Sequence, residues 1–236
     1  MSPARGWSGA DDASRADDAS GFTAGAGADG HSCPHRFGPA GGPERDGGGT
    51  VLVTGFEPFG GLSENPSRSA ALAAAEALPR VRARILPVEY RAAPRALVEA
   101  IREVRPETVV CLGVAVGREQ LCVERVALNC ADARIPDNTG AQPRDEWIDP
   151  AAPAALFSSL PIRRILRTWQ EVGLPARISE TAGTYVCNRV MFEALARAER
   201  LGVSRAGFLH VPDTRQMPQD RIDHGVRLAV GSLLED

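Results

Sequence analysis

Short apolar runs alternate with stretches of helical periodicity along most of this chain. Val51-Leu-Val-Thr-Gly55 is an apolar run stopped by glycine, as expected of a strand buried on both faces. Asn65-Pro66-Ser67 then opens an alanine-rich helix to about Leu78. Ala83–Val88 predicts a second strand, Pro94 to about Val104 a helix, and Thr108–Leu112 a third strand ending at Gly113. Leu121–Leu128 and Ala176–Ser179 are further strands, separated by a proline-rich loop and a helix near Ile162–Val172. A helix carrying Cys187 follows, then a strand at Arg205–Val211 closed by Pro212, and a last amphipathic helix over Gln219–Leu234. Strands alternating with helices predict one α/β domain whose mostly parallel sheet is covered on both faces. There is no internal repeat.

The pattern is missing from residues 1–49, where Gly, Ala, Asp and Ser dominate and Trp7, Phe22 and Phe37 stand as isolated aromatics. Such a segment buries too little apolar surface to offset its ordering entropy, so it reads as a disordered extension to a folded domain over 50–236. Within it, His31, Cys33 and His35 have a spacing that invites a metal, but without a second ligand pair no metal is expected. The full chain is 43% hydrophobic and 24% charged with a formal net charge of -3, which gives no electrostatic reason to expect nucleic acid or an anionic membrane surface. No apolar run approaches the ~20 residues of a membrane span, and the N-terminus lacks the basic start and apolar block of a secretory signal. Five irregularly placed cysteines do not make a disulfide framework, and together these features predict a cytoplasmic protein.

Candidate chemistry gathers where strands end, which is where open α/β sheets bind ligands. In Ser179-Glu-Thr-Ala-Gly-Thr-Tyr-Val-Cys187, Gly183 allows a sharp turn and Thr184 is the expected N-cap of the next helix. Cys187 then lies in the first helical turn, where free N–H groups and the helix dipole favour a thiolate; the alternative is a small buried core residue. Glu124 falls by period two on a face with Val126 and Leu128, so it must be paired there. It forms either an ion pair with Arg118 or Arg125, or a support that orients a histidine. His210 ends a strand and is the one histidine placed for general-base work; His224 belongs to a surface helix. A thiol, a base and an acid on separate segments are what nucleophilic thiol catalysis requires. Gly55-Phe-Glu-Pro-Phe-Gly-Gly61 lacks both the GxGxxG order and a Walker lysine, which disfavours a nucleotide. Phe56 and Phe59 are either core side chains or walls of a small apolar pocket.

Four separated blocks resemble the pyroglutamyl peptidase I (pyrrolidone-carboxylate peptidase) family of cysteine peptidases. They are VLVTGFEPFGG with NPS (51–67), GVAVGREQLCVERVALNCADARIPDN (113–138), TAGTYVCN (181–188) and GFLHVP (207–212), all in the family's order. The resemblance implies a three-layer α/β/α sandwich and cofactor-free removal of the N-terminal pyroglutamyl residue from peptides. It implies Cys187 as nucleophile, His210 as base and Glu124 as acid of a triad, with an acyl-enzyme intermediate. Phe56 and Phe59 match aromatics that sandwich the pyrrolidone ring; Ile135, Tyr185 and Val186 complete the pocket, and Asn65 and Arg134 fall at motif positions nearby. It also implies a homo-oligomer, a tetramer or dimer. Departures from the pattern are Glu180, Val114, Asp213 and Tyr185, the last where the family commonly has Phe. A thiol amidase for another lactam or acyl-amide and a catalytically silent homologue are the competing readings.

Overall fold

A computed structural model describes residues 49–234 of the 236; the expected disordered extension and its His31, Cys33 and His35 lie outside the described residues. The elements, in chain order, are β1 (Val51–Phe56), α1 (Pro66–Ala77), β2 (Val81–Leu86), α2 (Ala92–Val104), β3 (Thr108–Val114), β4 (Leu121–Leu128), β5 (Ala155–Phe157), α3 (Ile162–Glu171), β6 (Ala176–Thr181), α4 (Val186–Arg197), β7 (Arg205–Val211) and α5 (Gln219–Gly231).

Alternation along the strands builds the layers. Leu52, Val109, Cys111 and Phe208 face α2 and α4, joining Leu97, Ile101, Val190 and Met191 in one core. Their neighbours Val51, Val53, Val110, Leu112, Leu209 and Val211 face the other way, toward α1, α3 and α5. Both faces of the sheet are thus apolar, and helices cover both: the fold is an α/β/α sandwich. Trp169 of α3 is fully buried because its indole N–H has an acceptor, the Gly225 carbonyl at 2.7 Å on α5.

Strand order is β2-β1-β3-β7-β4-β5, with β6 also paired to β4. The β2-β1-β3-β7 half is parallel, but β4 runs antiparallel to β7, pairing Cys122 with His210 and Val123 with Leu209. A direct β3–β4 connection explains the reversal: residues 115–120 are too few for a crossover, so β4 returns against the sheet direction. β6 follows β4 in parallel, and β5 pairs with it antiparallel.

Three elements differ from the sequence expectation. β2 and α2 each start two residues earlier than their periodicity suggests, at Val81 and Ala92. The three-residue β5 carries too little pattern to be seen in the sequence and exists through its pairing to β4.

Candidate active site

The nucleophile candidate sits at the start of α4, and a backbone turn puts it there. Gly183, at φ 83°, takes a conformation closed to most residues and breaks the chain between β6 and α4. The expected Thr184 cap is not formed. Tyr185 occupies the N-cap with no side-chain bond to the helix, and the Thr184 hydroxyl instead donates to the Asp132 carbonyl at 2.8 Å. The physical reason is a competing acceptor: Asp132 and Thr184 exchange two hydrogen bonds, the second from Asp132 N–H to Thr184 O at 3.1 Å. No side chain therefore caps the first-turn N–H groups of α4 around Cys187. Asn188, one residue on, is buried and bonds the Leu128 N–H and C=O at 2.8 Å each and the Cys130 carbonyl at 3.0 Å, which fastens this turn to the end of β4.

Gly113 makes room for the thiol. A Cβ there would lie 2.8 Å from Cys187 Sγ and 2.8 Å from the Phe208 ring. Gly113 is the register partner of His210, so thiol and imidazole share one patch of the sheet. His210 packs against Phe208 with the rings tilted by 50° and their centroids 4.7 Å apart, and it is 5% exposed. Its Nδ1 is 2.7 Å from Oε1 of Glu124, which is fully buried on the neighbouring strand. Because Cys122 is the residue opposite His210, Glu124 is the diagonal neighbour on the same face, within reach of a long side chain. Of the two arginines proposed for Glu124, Arg118 is the partner, at 3.1 Å; Arg125 turns to the opposite face and pairs with Glu180 at 2.8 Å.

The electrostatics follow from burial and these partners. Burial alone would raise the Glu124 carboxyl, but bonding to His210 and the charge of His210, followed by Ser179 and Arg118, outweigh it and hold the group below the usual carboxylate range. Burial pushes the Cys187 thiol up to about 12, and the negative charge of Glu124 adds to that; its own N–H and the charge of Arg118 act against it. A thiol held this way needs a base to lose its proton, and an imidazole lies on the same patch. With Nδ1 held by Glu124, Nε2 is the nitrogen left to exchange a proton.

Around this patch stand aromatic walls. Phe59 and Tyr185 lie 6.1 Å apart by centroids, and Tyr90 meets Tyr185 edge-on at 5.6 Å. Phe56, at 2% exposure, packs in the core behind them, and Val186 is buried at the first position of α4. Ile135, 44% exposed, sits beside Gly60 on a loop that also carries the exposed Arg134. Asn65 is buried, and its amide is committed to the backbone: Oδ1 accepts from Ser67 N–H at 3.1 Å and Nδ2 donates to the Glu57 carbonyl at 2.9 Å. It caps α1 and shapes the loop that bears Phe59. A separate cleft of about 760 Å³ between α2 and α4, lined by Arg91, Arg95, Arg189 and Trp147, contains none of Glu124, Cys187 and His210.

A profile of the pyroglutamyl peptidase family matches residues 49–233. The chain belongs to the pyroglutamyl peptidase family. It is 47% identical over 178 residues to the pyrrolidone-carboxylate peptidase of Chromobacterium violaceum, covering 74% of this chain and 81% of that protein. Among solved structures it resembles pyroglutamyl peptidase I of Bacillus amyloliquefaciens, with a TM-score of 0.75 and 35% identity over 80% of this chain and 96% of that one. The pyrrolidone carboxyl peptidase of Thermococcus litoralis is similar at a TM-score of 0.73 and 39% identity, over 79% and 93%.

The departures from the pyroglutamyl peptidase pattern have structural explanations. Glu180 is exposed and ion-paired with Arg125, away from the thiol. Asp213 is buried and accepts bonds from the Arg215 side chain and then from Gly117 N–H, which keep its carboxyl below the ordinary value. Val114 closes β3 as a buried partner of Val211. Tyr185 gives its extra hydroxyl to the Pro136 carbonyl at 3.0 Å. Tyr90, Ser179 and Asn188 also lie at or beside this patch, and the sequence alone did not point to them. Of these, only Asn188 left a trace, as an amide beside Cys187 on a face the helical pattern buries. Among the described residues no group of three or more His, Cys, Asp or Glu is arranged to hold a metal, and no helix is long and apolar enough to cross a membrane.

Proposed function

We propose that this chain hydrolyses the amide bond that joins an N-terminal pyroglutamyl residue to the rest of a peptide, with Cys187, His210 and Glu124 as its catalytic residues. The observation that carries the reading is the 2.7 Å contact between His210 Nδ1 and buried Glu124, on the patch where Gly113 makes room for Cys187 Sγ. His210 Nε2 takes the Cys187 proton as Sγ attacks the pyroglutamyl carbonyl carbon. The oxyanion is met by first-turn N–H groups of α4 that no side chain caps. His210 then gives its proton to the departing amine, and a thioester joins Cys187 to the pyroglutamyl group. Water, deprotonated by His210, attacks the thioester and releases pyroglutamate. Glu124 stabilises the imidazolium in both halves.

The substrate preference follows from desolvation. A pyroglutamyl ring is a flat, neutral lactam that Phe59, Tyr185 and Ile135 can enclose, with Phe56 behind and Arg134 at the rim. A free α-amine carries a charge that such walls cannot solvate. Among the described residues four free thiols, at Cys111, Cys122, Cys130 and Cys187, support a reducing compartment, the cytoplasm. The family resemblance supports a dimer or tetramer of identical chains.

Release of a fluorescent amine from a pyroglutamyl amide, beside the matching prolyl and glutamyl amides, tests the reading. Cleavage of the pyroglutamyl compound alone is expected, abolished by Cys187→Ser and reduced about 10²–10⁴-fold by Glu124→Gln. Preference for another amide, or activity that survives Cys187→Ser, would sink it.

A further inference from the structure

We propose that Arg118 is a positioning residue for this reaction, fixing the Glu124–His210 pair through a turn that Asp213 holds in place; the inference rests on the function proposed above. Residues 115–120 cross over the carboxyl end of β7 on the way from β3 to β4. Ala115 N–H donates to the Val211 carbonyl at 2.9 Å, and Arg118 N–H closes a turn on Ala115 at 3.1 Å. At the apex, Gly117 N–H donates to Asp213 Oδ2 at 3.0 Å. Asp213 is itself held, its Oδ1 accepting from the Arg215 backbone N–H at 3.0 Å and Nε at 3.1 Å. Two loops, one after β3 and one after β7, are thereby tied together directly over the catalytic strand ends.

What the tie presents is one guanidinium nitrogen. Arg118 Nη1 is 3.1 Å from Glu124 Oε1, the oxygen that His210 Nδ1 approaches at 2.7 Å, and 3.4 Å from Ser179 Oγ. The other carboxylate oxygen, Oε2, is buried with no hydrogen-bond partner. A fully buried carboxylate therefore depends mainly on a single oxygen shared by Arg118 and His210, and without the arginine its charge is left to His210 with only the Ser179 hydroxyl beside it. The titratable groups around the pair and the thiol are Arg118 from the turn with Cys122 of β4 beside it, and Cys111 of β3, Tyr90 and Tyr185 around Cys187. Among these Arg118 supplies the permanent positive charge. Its loss disfavours both the Glu124 carboxylate and the Cys187 thiolate, so both effects move the acid limb of activity to higher pH.

Arg118→Gln, Arg118→Lys and Asp213→Asn in the full chain test this with two readouts. One is the pH dependence of kcat/KM on a pyroglutamyl amide; the other is the rate of Cys187 alkylation by iodoacetamide at about pH 8, followed by mass on its own peptide, which needs no substrate. Arg118→Gln is expected to move the acid midpoint of kcat/KM up by about one pH unit, to slow alkylation about tenfold, and to lower kcat at least tenfold with KM little changed. Arg118→Lys should restore the midpoint and the alkylation rate while keeping part of the kcat loss, because one ammonium carries the charge without the fork geometry. Asp213→Asn should act the same way by less. An Arg118→Gln variant of wild-type circular dichroism whose activity falls equally at every pH, with alkylation no slower, would overturn the proposal. Should that variant not fold, an unmoved midpoint and unslowed alkylation in Asp213→Asn would do the same. If wild type cleaved no pyroglutamyl amide, the functional reading would fail, and the alkylation rates would still decide the role of Arg118.

Discussion

At Gly113 the absence of a side chain holds the site together. An alanine methyl would sit 2.8 Å from both Cys187 Sγ and Phe208 Cζ, closer than real Cβ contacts come. Phe208 is fully buried between the sheet and the α2/α4 layer, so the first turn of α4 must give instead. Gly113→Ala is expected to lower kcat/KM by about ten- to a hundredfold through a misplaced thiol, and to destabilise by roughly 1–3 kcal/mol through overpacking. Activity and thermal melting of the variant read both effects; an alanine enzyme of wild-type activity would contradict this geometry. Residues like this show how far the sequence could be read. The period-two placement of Glu124 on an apolar face required a partner, and two arginines and a histidine were candidates. Choosing Arg118 over Arg125 depended on the path of a turn that no local pattern encodes. Asn65, placed near the pocket by its motif position, has its amide committed to capping α1 and to the Glu57 carbonyl.

Between elements, three loops converge on the aromatic walls, and side-chain bonds to backbone carbonyls fasten them. Tyr185 OH reaches the Pro136 carbonyl at 3.0 Å, joining the α4 N-terminus to the loop that carries Ile135. Asn138 Nδ2 reaches the Pro58 carbonyl at 3.0 Å, joining that loop to the one bearing Phe59. Tyr90 OH reaches Thr184 O at 3.1 Å from a third direction. Tyr185→Phe keeps the ring and removes one fastening. A several-fold rise in KM with kcat nearly unchanged is expected, since the wall loosens while thiol and imidazole stay put. A fall in kcat at constant KM would move Tyr185 from the wall to the chemistry. Elements of strong apolar pattern, β1, β3 and β7, were legible in the sequence. The Thr184 cap was misread because the acceptor that claims its hydroxyl, Asp132, is 52 residues away.

For the molecule as a whole, buried titratable groups set a window of stability. Glu124 and Asp137 are held below their ordinary values of 4.5 and 3.8: for both, burial acts against the shift and hydrogen bonds outweigh it, from His210 to Glu124 and from Tyr90 N–H to Asp137. Their contribution is present above the unfolded values and is lost as pH falls through the folded ones. Cys111 and Cys187 are pushed up to about 12, mainly by burial, so the unfolded chain releases those protons first and stability declines as pH rises from about 9 toward 12. Urea midpoints measured across pH should therefore form a plateau between roughly pH 5 and 9 and fall on both sides. Asp137→Asn should flatten the acid shoulder. A midpoint that climbs beyond pH 10 would contradict the alkaline arm.

The reversal of β4 has a mechanical consequence. The sheet consists of a parallel half and a returned half, and two residue pairs stitch them, Cys122 with His210 and Val123 with Leu209. The contact between His210 and Glu124 bridges that seam and spans 86 residues of sequence. β3 grips β7 along seven residue pairs, so strain applied to the sheet opens the short stitch before the long one. With the roles proposed for Glu124 and His210, catalysis is tied to the shortest pairing in the sheet. Warming or mild denaturant is expected to lower activity before circular dichroism reports loss of the sheet, and simultaneous loss of the two would contradict this.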